Sequence, residues 1–442
     1  MDEDGRLERY VRRVEACQPI QYRGRVRKVV GLVAESTGPP ASIGDLCSIR
    51  RQDGGWCRME VVGFRDHHLL LMPLGEMDRI GAGSEVITQD EPLCVQVGEG
   101  LLGRVINGLG EPLDGKGPLD ATRWKAVYNT PPHPLKRKRI VSPLATGIRA
   151  IDGLLTCGKG QRMGVFAGSG VGKSVLMGMI ARNTSADVNV IGLIGERGRE
   201  VREFIERDLG EEGLKRSVVV VATSDQAALV RLKGALVATT IAEYFRDQGA
   251  DVLLMVDSAT RIAMAQREIG LAVGEPPTTK GYTPSVFAFL PKLLERAGNA
   301  ATGSITGLYT VLVESDDMDE PIADAMRSML DGHVVLSRRL ASMNHYPAVD
   351  VLQSVSRVMT DVVSKEHLAA ARRAVEILAT YREAEDLVNI GAYVKGSNPR
   401  IDYALSMMDS LNAYLRQDVE EQSSYGDSVQ RLMDLMDKNV KT

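Results

Sequence analysis

The chain has 442 residues, of which 44% are hydrophobic and 25% charged, and its net charge is −4. At about 150 residues per domain this length predicts about three domains, and the composition excludes a single small module, a fibrous protein and a wholly disordered chain. The nearly neutral charge argues against a dedicated nucleic-acid coat protein. Five cysteines without C-x-x-C spacing, and no run of about 18 apolar residues, predict a cytoplasmic protein with reduced thiols and no membrane span.

The N-terminal part predicts a short charged helix followed by a small β-domain. Residues 7, 10, 11 and 14 are apolar at helical spacing, so we expect a helical segment within residues 1–24. It is either a surface helix on its own domain or one that binds a membrane surface or a partner. Over residues 25–92, short β-prone runs separated by glycine, proline and aspartate favour a compact β-barrel domain. These runs are Val26–Val33, Trp56–Val62 and His68–Met72.

The following segment has the composition of a linker. Gly98–Leu119 is rich in glycine, and Thr130–Arg139 has three prolines before four consecutive basic residues. Because prolines favour extended backbone, we predict a linker over residues 93–142 that leads into the next domain. The basic run is typical of a solvated turn, and an anion-binding site there is the less favoured alternative.

Residues 143–357 alternate apolar runs with helix-length stretches, which predicts a mainly parallel sheet covered by helices. With its linker, this domain is placed at 93–360. Residues 361–442 then show only helical periodicity and predict a small helical domain, whose methionines are expected to pack in its core. The predicted strands are Met163–Ala167, Val188–Ile194, Val218–Ala222, Val252–Val256, Leu308–Val313 and Val334–Leu336, and the predicted helices include Ser174–Asn183 and Gln226–Asp247.

The sharpest motif is AGSGVGKS, Ala167–Ser174, which lies between an apolar strand and a helical pattern and has the form of a P-loop. Glycines let consecutive backbone N–H groups turn toward phosphate oxygens, and the helix N-terminus adds a favourable dipole. We expect Lys173 to neutralise the β- and γ-phosphates and Ser174 to hold Mg²⁺. Ala167 stands where the pattern has its first glycine, and a methyl group is tolerated at this position if the residue has an ordinary φ. The predicted nucleotide-binding residues here are Gly168, Ser169, Gly170, Val171, Gly172, Lys173, Ser174 and Val175.

Two acidic residues follow other apolar strands. The run Val252–Val256 ends in Asp257, in the manner of a Walker B strand, and a carboxylate there can bind the hydration shell of Mg²⁺. In the segment IGERGRE, Glu196 can polarise an attacking water and Arg197 can stabilise developing charge. Spacing alone does not separate this second segment from a solvated loop.

Four motifs together resemble a known set: AGSGVGKS, IGERGRE, DVLLMVDSATR and PAVDVLQSVSR, which ends at Arg357. The set is shared by the catalytic subunits of rotary F- and V-type ATPases and by the type III secretion ATPases, and the resemblance runs from about residue 25 to the C-terminus. The stretches ERGREVREFI and NHYPAVDVLQSVSRVM are most similar to flagellar protein-export ATPases. The resemblance implies ATP hydrolysis by a RecA-like P-loop core between an N-terminal small β-barrel domain and a C-terminal helical domain.

Matched positions in this family imply roles for individual residues. Glu196 would activate water, and Arg197 and Arg261 would contact the γ-phosphate region. Tyr346 matches an aromatic residue that stacks on adenine. Arg357 matches an arginine finger that reaches the neighbouring subunit's nucleotide, so that catalysis depends on assembly. ATP and Mg²⁺ are the implied cofactors.

The resemblance also implies a homo-hexamer and a set of partners. Gly274–Tyr282 and Asp316–Glu320 match pore-facing loops that contact a central coiled-coil stalk protein, although both can also be solvent loops. A regulatory stator-like protein, export-gate components, exported proteins and chaperones are further expected partners. The expected location is the inner face of the cytoplasmic membrane, with peripheral attachment.

Alternative functions remain open. One is a virulence type III secretion ATPase, and another is the catalytic subunit of a rotary F- or V-type ATPase. A hexameric nucleic-acid translocase is less favoured, because aromatic residues are only 5% and the predicted pore loop is acidic, so we expect no nucleic-acid partner. A purely structural role is disfavoured by the full set of candidate residues, which comprises Lys173, Ser174, Glu196, Asp257 and Arg357.

Overall fold

The structure is a computed structural model that describes residues 22–313 and 317–437. The predicted helix at residues 7–14, Cys17, and Asp316 of the acidic loop lie outside the described residues. The described chain forms two compact units, which are residues 22–93 with 272–274, and residues 94–271 with 275–313 and 317–437. None of the described helices is long and apolar enough to span a membrane.

The first unit is a closed antiparallel barrel with strand order β1-β2-β5-β4-β3-β6, which confirms the predicted β-barrel. Its interior holds alternate apolar residues of the strands, as expected where one sheet face is buried. The predicted run Val26–Val33 is divided by a turn at Gly31, whose φ of 56° suits glycine. The strands are β1 (Arg23–Val30), β2 (Val33–Thr37), β3 (Asp45–Arg50), β4 (Trp56–Arg65), β5 (His68–Pro73) and β6 (Glu85–Pro92).

The second unit contains thirteen described strands. They are β7 (Cys94–Val97), β8 (Arg104–Asn107), β9 (Arg123–Ala126), β10 (Pro143–Leu144), β11 (Cys157–Gly158), β12 (Arg162–Ala167), β13 (Val188–Ile194), β14 (Ser217–Ala222), β15 (Asp251–Asp257), β16 (Gly298–Asn299), β17 (Ser304–Leu312), β18 (Gly332–Leu336) and β19 (Val355–Ser356).

Helices connect these strands and follow them at the C-terminus. They are α1 (Arg149–Leu154), α2 (Lys173–Asn183), α3 (Gly198–Glu203), α4 (Gly210–Lys215), α5 (Ala228–Asp247), α6 (Ala259–Val273), α7 (Pro284–Leu294), α8 (Pro321–Met329), α9 (Arg338–Ser342), α10 (Met359–Val362), α11 (Lys365–Asn389), α12 (Pro399–Leu415) and α13 (Tyr425–Asp437). A π-helical turn, Phe204–Leu209, joins α3 to α4, and short 3-10 turns cover Glu99–Leu101, Pro134–Lys136, Thr279–Gly281 and Val351–Gln353.

The large sheet has the order β19-β18-β12-β17-β15-β13-β14-β8, and β16 pairs with β17. The strands from β18 to β8 are parallel, which confirms the predicted parallel core. All residues of β13 and β14 are buried, as expected for a sheet covered on both faces. The edge strand β8 belongs to the stretch Gly98–Leu119 that was expected to be a linker, so this glycine-rich segment extends the sheet instead.

The C-terminal helices α11, α12 and α13 pack on α1 of the sheet domain. Apolar residues of both parts form one continuous core, so the sheet and these helices constitute a single compact unit. Met407 and Met436 are buried in that core and Met433 packs against it, whereas Met408 is only half-buried. The buried residues of α11, which include Ala370, Ala371, Ala374 and Ile377, recur at helical spacing, as expected for an amphipathic helix.

Candidate active site

The P-loop connects β12 to α2 at the carboxyl edge of the sheet. Gly170 and Gly172 have φ values of 78° and 92°, a left-handed conformation that favours glycine. Ala167 is the last residue of β12 and is buried in ordinary strand conformation, which is why a methyl group is tolerated there. Val171 is buried beneath the loop, while Ser169 is exposed. Left-handed glycines directly before a helix N-terminus are the features by which such a loop binds an anion.

Three charged side chains meet beside this loop, because β12, β13 and β15 are parallel and end at the same edge. Lys173 Nζ donates a hydrogen bond to Asp257 Oδ1 at 2.5 Å and lies 3.5 Å from Glu196 Oε1. The side chains of Lys173, Glu196 and Asp257 are 13%, 14% and 4% exposed. The structure therefore brings together the cation and both carboxylates that the motifs single out.

Thr310, at the end of β17, completes this cluster. Its Oγ1 donates a hydrogen bond to Asp257 Oδ1 at 2.7 Å, and its side chain is fully buried. Thr260, in the first turn of α6, accepts a hydrogen bond from the backbone N–H of Leu312 at 2.9 Å. The two threonines tie the end of β15 to the neighbouring strand. Thr260 lies within the motif DVLLMVDSATR, but no motif includes Thr310, because β17 shows only an apolar run in the sequence.

The carboxyl group of Glu196 is poised to exchange a proton near neutral pH. Burial raises the pKa of Glu196 to about 7, and repulsion from Asp257 and a hydrogen bond with Glu200 add to this effect, while Lys173 opposes it. The same hydrogen bond lowers the pKa of Glu200. Burial disfavours the charged form of Lys173, but Asp257 and Glu196 outweigh burial and hold the pKa of Lys173 above its ordinary value. A buried carboxyl with such a pKa suits a general base.

The two arginines predicted near the phosphate are placed differently. Arg261 packs its methylene groups over Gly195, where a Cβ would lie only 2.7 Å from Arg261 Cβ, so it sits directly beside the Glu196 loop. It also lines a cleft of about 470 Å³ with Arg267 and Lys280. Arg197 has a side chain that is 80% exposed and lies 3.5 Å from Glu200, so the structure does not bring it into the lysine cluster.

Tyr346 forms one wall of a cavity of about 570 Å³ next to the P-loop. A Cβ on Gly172 would lie 3.5 Å from the Tyr346 ring, and Val175 lines the same cavity. Residues 416–419, which follow α12, form the opposite wall, and the backbone N–H of Gln417 donates to the carbonyl of Tyr346 at 2.9 Å. The C-terminal part of the chain therefore shapes this cavity, a contribution that no motif predicts.

Arg357 lies at the opposite edge of the sheet from the P-loop. Its backbone N–H donates to the carbonyl of Asp331, which precedes β18, and the N–H of Asp331 donates in turn to the carbonyl of Arg162 at the start of β12. The P-loop follows the other end of β12. Arg357 is exposed, and the structure does not bring it together with the other candidate residues of its own chain.

Comparisons with known proteins cover both parts of the second unit and nearly the whole chain. Residues 147–356 match the model of the ATP synthase alpha/beta family, nucleotide-binding domain, and residues 363–434 match that of the T3SS EscN ATPase C-terminal domain. The flagellum-specific ATP synthase of Bacillus subtilis is 56% identical over 96% of this chain and 97% of its own length. The chain belongs to the flagellar and type III secretion ATPase family.

Other members of this family are similar over the same length. The type 3 secretion system ATPase of Xanthomonas euvesicatoria is 52% identical over 94% of both chains. The assembled ATPase EscN of enteropathogenic E. coli has a TM-score of 0.89 at 46% identity and covers 93% of this chain and 100% of its own. The same ATPase in complex with its central stalk EscO has a TM-score of 0.86 at 45% identity and covers the same shares of both chains.

The two family models match different parts of the candidate site. The alpha/beta family model ends at residue 356, one residue before Arg357, and the EscN C-terminal model begins at 363, just before α11. The cluster of Lys173, Glu196 and Asp257 lies within the first match, and the cavity wall at 416–419 lies within the second. The cavity beside the P-loop is thus lined by residues of both matched regions.

Proposed function

We propose that this chain hydrolyses ATP to ADP and phosphate as one subunit of a ring that energises flagellar type III protein export. The observation that carries the proposal is the meeting of Lys173, Glu196 and Asp257 at the P-loop edge of the sheet. A lysine that can neutralise phosphate charge, next to a carboxyl that can accept a proton, suits phosphoryl transfer to water. Membership in the export ATPase family supplies the biological setting.

The proposed reaction follows from these positions. The γ-phosphate of ATP lies within the P-loop, with Lys173 against its oxygens. Glu196 orients a water molecule, whose oxygen attacks the γ-phosphorus while the bond to the β,γ-bridging oxygen breaks, and Glu196 accepts the proton that the water loses. Its raised pKa lets it both accept and release this proton near neutral pH. Arg261, and Arg197 after a change of side-chain position, would contact the γ-phosphate region.

The residues at the P-loop fit a Mg²⁺ ion. Ser174 offers a hydroxyl in the first turn of α2, and Asp257 offers a carboxylate at the end of β15, where Lys173 and Thr310 already orient it. Hard oxygen donors in this small number suit Mg²⁺, which keeps waters and is otherwise held by substrate phosphates. When bound, the ion neutralises negative charge on the phosphates. Tyr346 would stack on the adenine ring in the adjoining cavity.

Arg357 is proposed to act on the nucleotide of the neighbouring subunit. Within its own chain, six residues of β12 at about 3.3 Å each separate the amino edge, where Arg357 lies, from the P-loop, so its guanidinium cannot reach its own nucleotide. A ring of like subunits, head to tail, brings this edge against the next P-loop. The assembled state of EscN supports such a ring, for which we propose six subunits.

Further partners and the location remain proposals. EscN binds a central stalk. We propose that a coiled-coil protein of this kind contacts two segments of this chain, the turn Thr279–Gly281 and residues 317–320. Lys280 Nζ and Asp317 Oδ2, one from each segment, lie 3.6 Å apart. A stator-like regulator, export-gate components, and exported proteins with their chaperones would bind elsewhere. We propose peripheral attachment at the inner face of the cytoplasmic membrane, and domain boundaries along the sequence at residues 24, 92 and 360, of which the last falls within the second compact unit.

Enzyme assays test the catalytic part of the proposal. Lys173→Ala and Glu196→Gln are expected to lower the ATPase rate by at least 100-fold, because each removes an interaction made in the transition state. The wild-type rate per subunit should rise with protein concentration as rings form. Hydrolysis at the normal rate without Glu196 would overturn the proposed base.

A mixture of two variants tests whether Arg357 acts on the nucleotide of the neighbouring subunit. Arg357→Ala subunits mixed with Lys173→Ala subunits should regain activity, because some interfaces pair an intact P-loop with an intact arginine. No recovery in rings shown to be mixed contradicts action in trans.

Secretion in virulence is the second candidate function, favoured by the similarity to EscN. The genes beside this one distinguish the two. Flagellar structural genes in the same cluster support the flagellar function. Restored motility, when this chain replaces the flagellum-specific ATP synthase in a Bacillus subtilis deletion strain, supports it as well.

A further inference from the structure

The backbone around Arg357 is held by a small set of buried hydrogen bonds. The strand that precedes it, β19, has only two residues and pairs with β18 in an antiparallel manner. The Arg357 guanidinium is exposed, and its contact with the carbonyl of Arg327 is long, at 3.5 Å. The position of this side chain therefore depends on what fixes its backbone and that of Ser356.

Gln161 supplies that fixation. Its side chain is fully buried, and its Nε2 donates hydrogen bonds both to the carbonyl of Asp331 and to Ser356 Oγ, each at 3.1 Å. Its Oε1 accepts a hydrogen bond from the backbone N–H of Gly158 at 2.8 Å. The carbonyl of Asp331 is also the acceptor for the backbone N–H of Arg357, at 3.0 Å. The Gln161 amide thus binds both Ser356, the residue before Arg357, and the Asp331 carbonyl that accepts the Arg357 N–H.

Neighbouring contacts make this junction tight. Ser356 Oγ donates to the carbonyl of Thr156 at 2.8 Å, which adds a second bond between β19 and the segment before β12. The carboxylate of Asp331 accepts hydrogen bonds from Arg162 Nε and Nη2 at 3.0 and 3.2 Å. At Gly332 a Cβ would lie 2.5 Å from the carbonyl of Val355, so the two strands approach as closely as their backbones permit.

We infer that Gln161 is a positioning residue for Arg357, and through it acts on ATP bound to the neighbouring subunit. The inference rests on the proposed role of Arg357 in trans. Gln161 precedes β12, whereas the P-loop follows it, so about 20 Å of strand at about 3.3 Å per residue lies between Gln161 and the nucleotide of its own subunit. A misplacement of about 1 Å in a group that stabilises the transition state can cost about 100-fold in rate.

The variant Gln161→Met tests the inference, because methionine has a similar length and volume but cannot donate or accept these hydrogen bonds. We expect kcat to fall by at least about tenfold, with nucleotide affinity and KM for ATP within about twofold of wild type, since the P-loop and the adenine cavity are intact. Thermal melting of the variant reports whether the fold is preserved.

Mixed rings separate action in trans from a local effect. Gln161→Met subunits have an intact P-loop, so mixing them with Lys173→Ala subunits should restore activity at about one interface in four if subunits assort at random. Mixing them with Arg357→Ala subunits should restore none, because every interface then has a displaced or missing arginine. The opposite pattern, recovery with Arg357→Ala and none with Lys173→Ala, would show that Gln161 serves its own nucleotide site and overturn the inference.

A control mixture separates this inference from the function it rests on. If Arg357→Ala and Lys173→Ala subunits complement each other, the arginine acts in trans, and the Gln161→Met mixtures then decide the inference alone. If that control fails in rings shown to be mixed, the proposed role of Arg357 fails first, and the inference falls with it. Normal kcat in Gln161→Met also overturns the inference.

Ser356→Ala provides a second variant if Gln161→Met does not fold. It removes the hydroxyl that links Gln161 to β19 in a half-buried side chain, while the amide keeps its bond to Asp331. The same pattern of complementation is expected, with a smaller loss of kcat, since one of the two bonds from Gln161 Nε2 remains. Unchanged kcat and no selective complementation would overturn the inference.

Discussion

Lys173 Nζ lies 2.5 Å from Asp257 Oδ1, although 83 residues of chain separate the two positions. The same carboxylate oxygen accepts a hydrogen bond from Thr310 Oγ1 at 2.7 Å. The strands β12, β17 and β15 are consecutive in the sheet and end at one edge, which is why the P-loop lysine, Thr310 and Asp257 meet there. Asp257, at the end of β15, is therefore oriented by a threonine on the adjacent strand β17 and by the P-loop lysine that begins α2.

Thr310→Val is expected to lower kcat by about tenfold, because a lost hydrogen bond to a buried charged group is worth about 1.5–3 kcal/mol. The substitution keeps the shape of the side chain but leaves Asp257 without its second donor. Steady-state ATPase rates at several Mg²⁺ concentrations measure the effect, and the Mg²⁺ requirement should rise. Thr310→Ser retains the hydroxyl and should keep most of the rate, whereas equal losses in the two variants would contradict this role.

The pH dependence of kcat/KM should show an acidic limb with a midpoint near pH 7. Burial raises the pKa of Glu196 to about 7, and only its unprotonated form can accept a proton from water. The rate therefore falls as the pH drops below that value. A profile of kcat/KM for ATP between pH 5.5 and 9 is the measurement, and a rate that stays constant down to pH 5.5 would exclude Glu196 as a base that titrates in this range.

Glu200→Ala should move this acidic limb to lower pH. The hydrogen bond with Glu200 and the negative charge of this residue both raise the pKa of Glu196, so their removal lowers it. Arg199→Ala serves as a matched control, because Arg199 is exposed on the same helix and pairs with Glu203 rather than with the cluster. A shift of the limb to higher pH in Glu200→Ala, or equal shifts in both variants, would contradict this assignment.

Tyr346→Ala is expected to raise KM for ATP at least fivefold, since stacking of a base on an aromatic ring is worth about 1–3 kcal/mol. The ring borders the cavity beside Gly172 and Val175, where an adenine would lie next to the phosphate loop. Tyr346→Phe keeps the ring and should raise KM far less. Binding of a fluorescent ATP analogue gives an independent measurement, and similar affinities for wild type and Tyr346→Ala would place the base elsewhere.

Arg149→Ala should both destabilise the chain and weaken nucleotide binding. Arg149 is buried in α1, its Nε donates to the carbonyl of Tyr414 at 2.8 Å, and its guanidinium also binds the carbonyl of Arg416 and the carboxylate of Glu421. We expect the free energy of unfolding to fall by about 3 kcal/mol, and KM for ATP to rise because residues 416–419 form a cavity wall.

The exposed Arg431, which lies 3.7 Å from the same glutamate, gives the matched control for this change. Arg431→Ala should alter the free energy of unfolding by no more than about 0.5 kcal/mol. Urea denaturation followed by circular dichroism compares the two variants. If the Arg149→Ala and Arg431→Ala curves coincide, Arg149 does not anchor the C-terminal helices.

The sequence by itself determined the elements that depend on local patterns. Strand β13 occupies the predicted residues 188–194, and α2 begins one residue before its predicted start, because continuous apolar runs and glycine-rich turns are properties of neighbouring residues. The alternation of strands and helices also fixed the parallel sheet. Parallel topology then implies that the P-loop, Glu196 and Asp257 lie at one edge, so the centre of the candidate site was predictable.

Tertiary structure alone decided the residues that act across long separations in the chain. Thr310, Gln417 and Gln161 carry no local signal, since each becomes significant only when another strand or helix packs beside it. The same reason explains β8, whose glycine-rich surroundings indicate a linker but whose backbone hydrogen bonds are completed by the edge of β14. Whether a polar side chain supports a site depends on the partner that packing brings to it.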